Sequence, residues 1–143
     1  MDLFNKPELS RKQKLVKSRK ATTDLTAWAI DYLNNSGCFV AWRQNNIPST
    51  RSETVVKADG TKETKFHFKK NQITFKLLDI AAIQCDTGRY FELEVKTGAD
   101  KLSPGQIERI KQIKAANGIA FAFSDKETFL LQIEPYMIYK QAF

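Results

Sequence analysis

The sequence is poor in the residues that build soft-metal and disulfide sites. Its 143 residues include one histidine, His67, and two cysteines, Cys38 and Cys85. A single histidine excludes histidine-rich zinc sites, a helix that presents two histidines to zinc, and acid–base catalysis by a histidine pair. Two distant cysteines provide neither a disulfide framework nor a zinc site, so we expect a reducing, cytoplasmic (intracellular) setting. Any metal ion is expected to be held by oxygen atoms.

Long apolar runs are also missing from the chain. No stretch of about 18 consecutive apolar residues occurs, and the first ten residues lack the apolar run of a secretory signal. We therefore expect neither membrane insertion nor secretion. With 42% hydrophobic and 27% charged residues, the chain has the composition of one packed domain and is too short for two.

Acidic residues are the minority, and the resulting net charge of +7 is unevenly placed. Residues 1–21 hold seven Lys/Arg against two Asp/Glu, a net of +5, which leaves +2 for the rest. This divides the chain into a basic N-terminal arm, residues 1–21, and a single domain, residues 22–143, and it favours a polyanionic partner such as nucleic acid. The alternative is a solvated, partly disordered tail that aids solubility. The residues that we expect to bind nucleic acid are Lys12, Lys14, Lys17, Arg19, Lys20, Arg43, Lys69 and Lys70.

Hydrophobic periodicity predicts the element order α-β-β-β-β-β-α-β-α, which is typical of an α/β domain with a mixed sheet. The first helix is predicted to begin near Ala21, with Thr22 or Thr23 as its cap, and to end at Gly37. A polar hairpin is predicted around residues 58–60. The uniformly apolar run at residues 119–123 is typical of a strand that is buried on both faces. Further elements are predicted as strands at residues 38–44, 75–85 and 89–96, a helix capped by Ser103 with Pro104 and Gln106 in its first turn, and a last helix capped by Asp125.

The two strands at residues 75–85 and 89–96 carry the charges that suggest chemistry. Because side chains alternate along a strand, Glu92, Glu94 and Lys96 share one face and the apolar residues between them share the other. The turn that joins the strands allows two registers, one with Asp79 opposite Glu94 and one with Asp79 opposite Lys96. Both registers keep Asp79 on the charged face.

Two carboxylates at this separation repel each other unless they share a cation. Mg²⁺ and Mn²⁺ suit one or two carboxylates completed by water. A lysine beside such an ion can orient or help deprotonate the attacking water and offset charge on a phosphate, which fits phosphodiester hydrolysis. The alternative is a solvated strand face with weak ion pairs. Asp79 argues against it, because it lies within an apolar run where an unpaired charge is costly.

The run from Asp79 to Gln106 resembles the VRR-NUC branch of the PD-(D/E)XK nuclease superfamily. The resemblance is carried by an aspartate, a hairpin, Glu-Val-Lys-Thr-Gly and then Leu-Ser-Pro-Gly-Gln. Asp24 and the Arg-Gln-Asn-Asn segment at residues 43–46 extend it over roughly residues 22–124. It implies a restriction-endonuclease-like core, a mixed β-sheet flanked by helices, and a nuclease dependent on Mg²⁺ or Mn²⁺.

The resemblance also implies a role for each site residue. Asp79 and Glu94 would bind the metal together with the Val95 backbone carbonyl, and Lys96 would serve the attacking water. Asp24 stands where the family has a metal-binding glutamate and has a shorter reach. Gln106 matches a glutamine that would contact substrate or water, although it also suits a capping box with Ser103.

Three functions remain open from the sequence. The first is an active nuclease that cleaves DNA, with flaps, junctions and other structured substrates as candidates; cleavage of a symmetric junction would favour a homodimer. The second is a catalytically idle nucleic-acid-binding module with a nuclease-like fold. The third is a structural or partner-binding protein without phosphate chemistry.

Overall fold

The computed structural model describes residues 10–44, 50–68 and 75–137, and their elements follow the predicted order. Lys69 and Lys70, which are predicted to bind nucleic acid, lie outside these ranges. So do residues 45 and 46, the end of the segment that resembles the VRR-NUC family. The elements are α1 (Arg11–Asn35), β1 (Phe39–Arg43), β2 (Thr50–Val56), β3 (Lys62–Phe68), β4 (Ile80–Gln84), β5 (Tyr90–Val95), α2 (Pro104–Ala115), β6 (Ile119–Phe123), α3 (Lys126–Ile133) and a 3₁₀ turn (Glu134–Tyr136).

Four strands form a mixed sheet in the order β1-β4-β5-β6. The β1–β4 and β4–β5 pairs are antiparallel, whereas β5 and β6 are parallel because α2 crosses between them. One face of the sheet buries its apolar side chains, including Phe91, Leu93 and Val95, against α1 and α3. The other face packs against α2 through Leu78, Ile113 and Ala120. The domain is therefore an α/β fold with a mixed sheet flanked by helices, as predicted.

The first helix begins ten residues earlier than predicted. Ser10, not Thr22 or Thr23, is its N-cap: the Ser10 hydroxyl accepts from the Gln13 backbone N–H, and the Gln13 side chain accepts from the Ser10 backbone N–H. Residues 11–21 are rich in good helix formers, but all of them are exposed, so no apolar stripe marked them as helical. The predicted basic residues between 12 and 20 therefore lie on a helix, and we call residues 11–21 the basic half of α1.

The remaining predictions for the elements need smaller corrections. The helix caps Ser103 and Asp125 are confirmed, as is the hairpin at residues 50–68, which forms a separate two-stranded sheet. The strand predicted over residues 75–85 is shorter, Ile80–Gln84. The prediction that β6 is buried on both faces is wrong in part: β6 is an edge strand, and several of its side chains are only half-buried. A uniformly apolar run does not distinguish a central strand from an edge strand that is covered by helices.

None of the helices in the described ranges combines the length and the apolar character that crossing a bilayer requires.

Gly118 joins α2 to β6 at a point where the backbone of two elements meets. A Cβ atom at this position would lie 3.1 Å from the carbonyl oxygens of Ile113 and Tyr90 and 2.6 Å from the Ile113 side chain. We expect Gly118→Ala to lower the free energy of unfolding by about 1–3 kcal/mol in urea denaturation, because the backbone must shift to relieve the clash. The matched control is Gly105→Ala in α2, where the added Cβ meets Lys76 at an ordinary 3.7 Å. An unchanged stability in Gly118→Ala would contradict the prediction.

Candidate active site

The register of the β4–β5 hairpin places Asp79 opposite Glu94. Ile80 pairs with Leu93 in the antiparallel ladder, so one further step brings residues 79 and 94 face to face. This is the first of the two predicted registers. Directly opposed residues of an antiparallel pair project from the same side of the sheet. Both carboxylates therefore lie on the face that α2 covers, at the end of two adjacent strands.

Asp79 lies just before β4 and links three strands. Its Oδ2 atom accepts a hydrogen bond from the Val95 backbone N–H at 3.0 Å. Its backbone carbonyl accepts one from the Gln44 N–H, directly after β1, at 2.8 Å. The half-buried carboxylate is thus held against the end of β5 by a contact that the sequence did not predict.

Glu94 is buried, with 3% of its surface exposed, and this overturns the alternative of a solvated strand face. Burial and the nearby Asp79 carboxylate raise the pKa of Glu94 to about 7, although the Lys96 ammonium acts in the opposite direction. A buried carboxylate whose charge is disfavoured by burial and by a second carboxylate belongs to a site that a cation would stabilise.

Lys96 follows β5 and reaches back toward Glu94. Its Nζ atom lies 3.2 Å from Glu94 Oε1 and 3.3 Å from Asp100 Oδ2. Burial of the ammonium lowers the pKa of Lys96, but its hydrogen bonds to these two carboxylates outweigh burial and leave the pKa above its usual value. The two carboxylates therefore keep the Lys96 ammonium charged and hold it beside Glu94.

The predicted capping role of Gln106 is confirmed, and the side chain also contacts Glu94, whereas its contact with substrate or water stays a prediction. Its Oε1 atom accepts from the Ser103 backbone N–H at 2.8 Å, which completes the capping box of α2. Its Nε2 atom donates to Glu94 Oε1. Because one side chain caps the helix and contacts the buried carboxylate, the start of α2 is fixed over the site.

A second buried ion pair lies beside the first, and the sequence did not reveal it. Arg109 donates to both oxygens of Glu92, from Nε at 2.9 Å and from Nη2 at 2.6 Å, and the Tyr90 hydroxyl donates to the same carboxylate at 2.6 Å. Glu92 is fully buried. Burial raises the pKa of Glu92, but the hydrogen bonds from Arg109 and Tyr90 outweigh burial and lower it overall.

The spacing of these partners is a signal that could have been found. Glu92 and Glu94 are two residues apart on a strand, and Gln106 and Arg109 are three residues apart on a helix, so both pairs lie on single faces. Two residues span about 6.6 Å along a strand, and three residues span about 4.5 Å along a helix. These distances are similar enough for Glu94 to meet Gln106 and for Glu92 to meet Arg109, two contacts that we call rungs. These rungs hold α2 on the sheet.

Asp24 is not brought to the site. The buried residues of α1, Thr26, Ala29 and Leu33, face the sheet, whereas Asp24 is exposed about half a helical turn away from them. The part of α1 that does approach the site is Thr22, whose hydroxyl lies 2.6 Å from the hydroxyl of Thr97. The predicted third carboxylate of the metal shell therefore points to solvent.

Comparison of the chain with models of known protein families gives no match, and comparison with curated protein sequences gives none either. Inferences about its function therefore rest on the geometry of its own residues.

The donor set at the end of β4 and β5 fits a hard divalent cation with an incomplete protein shell. In the part of the chain that the structure describes, no three His, Cys, Asp or Glu residues come together as a metal-binding group. Asp79 and Glu94 supply two carboxylates, and the Val95 carbonyl lies on the same segment. Mg²⁺ commonly binds to one or two carboxylates and keeps several waters, so this set suits Mg²⁺ or Mn²⁺ rather than zinc.

The raised pKa of Glu94 predicts how stability depends on pH in chelator. A carboxyl group whose pKa rises from 4.5 to about 7 on folding stabilises the protein fully below pH 4.5, and this contribution is lost as the pH rises toward 7. We expect the free energy of unfolding to fall by about 1–3 kcal/mol between these values. Glu92 titrates below the same window because its pKa is lowered.

The measurement is urea denaturation in chelator at pH 5 and pH 8, with Glu94→Gln as the control. The amide cannot ionise, so the difference in pH dependence between wild type and Glu94→Gln isolates this group. The same pH dependence in both proteins would show that Glu94 does not titrate as inferred.

Proposed function

We propose that this chain is a divalent-metal-dependent nuclease of the PD-(D/E)XK type, related to the VRR-NUC branch, that hydrolyses phosphodiester bonds in DNA. The observation that carries the proposal is the hairpin register, which places Asp79 opposite Glu94 with the Lys96 ammonium 3.2 Å from Glu94. The mixed sheet flanked by helices supports a restriction-endonuclease-like core for the domain. Mg²⁺ or Mn²⁺ is the proposed cofactor.

Each residue of the site would have a separate role in hydrolysis. Asp79, Glu94 and the Val95 carbonyl would hold the ion, which supplies charge stabilisation at the phosphate and lowers the pKa of the attacking water. Lys96 would place a positive charge beside the reacting phosphate and orient the water. Gln106 would hold Glu94 in position through its amide while its carbonyl oxygen stays bound to the α2 cap. The buried pair of Glu92 and Arg109 would keep α2 in place.

Affinity for the DNA backbone is proposed to come from the basic half of α1. Thr22 contacts Thr97, directly after Lys96, and the eleven residues before Thr22 extend about 16 Å further along the helix axis. A cavity of about 290 Å³ between helix and loop is lined by Lys14, Lys17, Ser18, Ala21, Thr97 and Gly98. Positive charge close to the catalytic lysine suits contact with phosphates next to the scissile one.

Cleavage assays with defined DNA structures test the proposal. Flaps, four-way junctions, nicked duplex and single strands, together with an RNA strand, would be incubated with Mg²⁺, with Mn²⁺ and with chelator. Cleavage of at least one substrate in metal and of none in chelator is expected. Cleavage that persists in chelator, or none on any substrate, would contradict the proposal. If four-way junctions are cut symmetrically, a two-fold dimer is expected as well.

The second candidate is a nucleic-acid-binding module whose nuclease-like site is idle. The observation that favours it is the position of Asp24, which leaves two carboxylates rather than three at the site. This function predicts salt-sensitive DNA binding that neither chelator nor Asp79→Ala changes, without cleavage under any condition. A cleavage assay therefore distinguishes the two functions, whereas a binding assay does not.

A further inference from the structure

The β2–β3 hairpin has two faces of different chemistry. Its register pairs Thr50 with Phe68, Ser52 with Phe66, Thr54 with Thr64 and Val56 with Lys62, so these eight residues share one face. Seven of the eight are uncharged, and the eighth, Lys62, lies beside the turn; we call this the uncharged face. The opposite face carries Arg51, Glu53, Glu63 and Lys65, and it includes an ion pair between His67 and Glu53 at 3.5 Å.

The uncharged face is open to solvent although it carries large apolar side chains. Phe66 is 62% exposed and Val56 is 61% exposed. Strands β2 and β3 contact each other and form no comparable contact with another helix or strand of the described ranges. Ser52 lies directly opposite Phe66, and Thr54 and Thr64 lie beside this pair on the same face, so hydroxyl groups border the ring on this side. One exposed aromatic ring among hydrogen-bonding hydroxyls suits a planar, polar-edged ligand.

The chain leaves β1 at the end of the sheet where the candidate active site lies. The residue before it in the described chain, Gln44, donates from its backbone N–H to the Asp79 carbonyl at 2.8 Å and from its side chain to the Leu78 carbonyl at 3.3 Å. After the hairpin, the chain returns through residues 75–79 to β4. The hairpin is thus inserted in the sequence between β1 and β4, and the ends of these two strands that face it lie beside Asp79.

The positive charge of the chain is concentrated around this insertion and the arm. Residues 50–76 hold seven Lys/Arg against three Asp/Glu, a net of +4, and residues 1–21 hold a net of +5. The rest of the chain has a net charge of −2. Two basic segments, one that ends in α1 and one inserted between β1 and β4, favour a polyanionic ligand.

We propose that the uncharged face of the β2–β3 hairpin binds nucleic-acid bases, with Phe66 as the side chain on which an unpaired base stacks. The inference rests on the proposed function for the identity of its ligand, but it concerns binding and not cleavage. Aromatic side chains on open β surfaces stack unpaired bases whatever their sequence, and neighbouring hydroxyls can hydrogen-bond the base edges. A paired base within a duplex does not offer its flat surface in this way.

Binding of the full chain to oligonucleotides in chelator tests the proposal. A single strand that carries 2-aminopurine reports stacking directly, because stacking quenches its fluorescence, and fluorescence anisotropy gives the affinity. We expect wild type to quench the probe. Phe66→Ala is expected to abolish the quenching and to weaken single-strand binding by about 5- to 100-fold, while duplex binding changes much less. Phe66→Trp should restore both signals.

The matched control is Leu131→Ala, which removes an even more exposed apolar side chain from α3. It should leave affinity and quenching unchanged. Unaltered binding in Phe66→Ala, or an equal loss on single strand and duplex, would overturn the proposal. So would a Phe66-dependent self-association in sedimentation without any effect on DNA, since the face would then join copies of the chain. The metal assays are independent of these measurements, so a protein that stacks bases but does not cleave would refute only the proposed nuclease.

Discussion

Alanine at Lys96 is expected to reduce the rate constant of DNA cleavage by about 10²- to 10³-fold, the loss that usually follows removal of one preorganised charge from a catalytic site. The ammonium lies 3.2 Å from Glu94 and 3.3 Å from Asp100, so it is already held in place before any substrate binds. Because Lys96 is not one of the proposed metal ligands, Mn²⁺ binding should be retained. Single-turnover cleavage and Mn²⁺ titration of the same preparation measure the two effects.

The matched control for this variant is Lys101→Ala, which removes an exposed lysine five residues further along the chain. It should cleave like wild type. Removal of Lys96 also leaves the Glu94 carboxylate without its cation, so the thermal midpoint of each variant must be measured at the assay pH. Cleavage by a folded Lys96→Ala protein at the wild-type rate would exclude Lys96 from the chemistry.

Alanine at Arg109 is expected to have the largest effect on stability, a loss of about 3–5 kcal/mol in the free energy of unfolding. The fully buried Glu92 carboxylate would lose both hydrogen bonds from the guanidinium and its charge would no longer be balanced, although the Tyr90 hydroxyl and the Leu78 N–H would still donate to it. Arg109 also covers the ring of Phe75, with 4.1 Å between the guanidinium carbon and the ring centroid, so a cation–π contact would be lost too. Urea denaturation at pH 7 measures the loss.

A double-mutant cycle separates the ion pair from packing. Glu92→Gln removes the buried charge, so Arg109→Met in that background should cost less than Arg109→Met alone, by a coupling energy of about 1–3 kcal/mol. Additive losses would mean that the pair contributes nothing beyond its shape. A charge-dependent loss, in contrast, would support the role of this rung in holding α2, and with it Gln106, over Glu94.

In the candidate site, the sequence predicts correctly which face of a strand its charged side chains share, but it does not predict which way the side chain of Asp24 points from α1. Strand alternation depends only on backbone geometry, so Glu94 and Lys96 were assigned to the charged face without knowledge of the neighbours, and the hairpin limited the position of Asp79 to two registers. Asp24 was assigned through a resemblance, and its direction depends on which face of α1 is buried. The packing of Thr26, Ala29 and Leu33 on the sheet decided that direction and turned Asp24 to solvent.

The sequence alone determined the order of the elements, the caps at Ser103 and Asp125, and the alternation that separates Phe91, Leu93 and Val95 from the acidic residues between them. These depend on hydrogen bonds and periodicities within a few residues. Only the tertiary structure decided that Glu92 and Glu94 are buried beneath α2 and that Arg109 and Gln106 pair with them. Burial depends on which surfaces meet across the chain, and local sequence does not specify that contact.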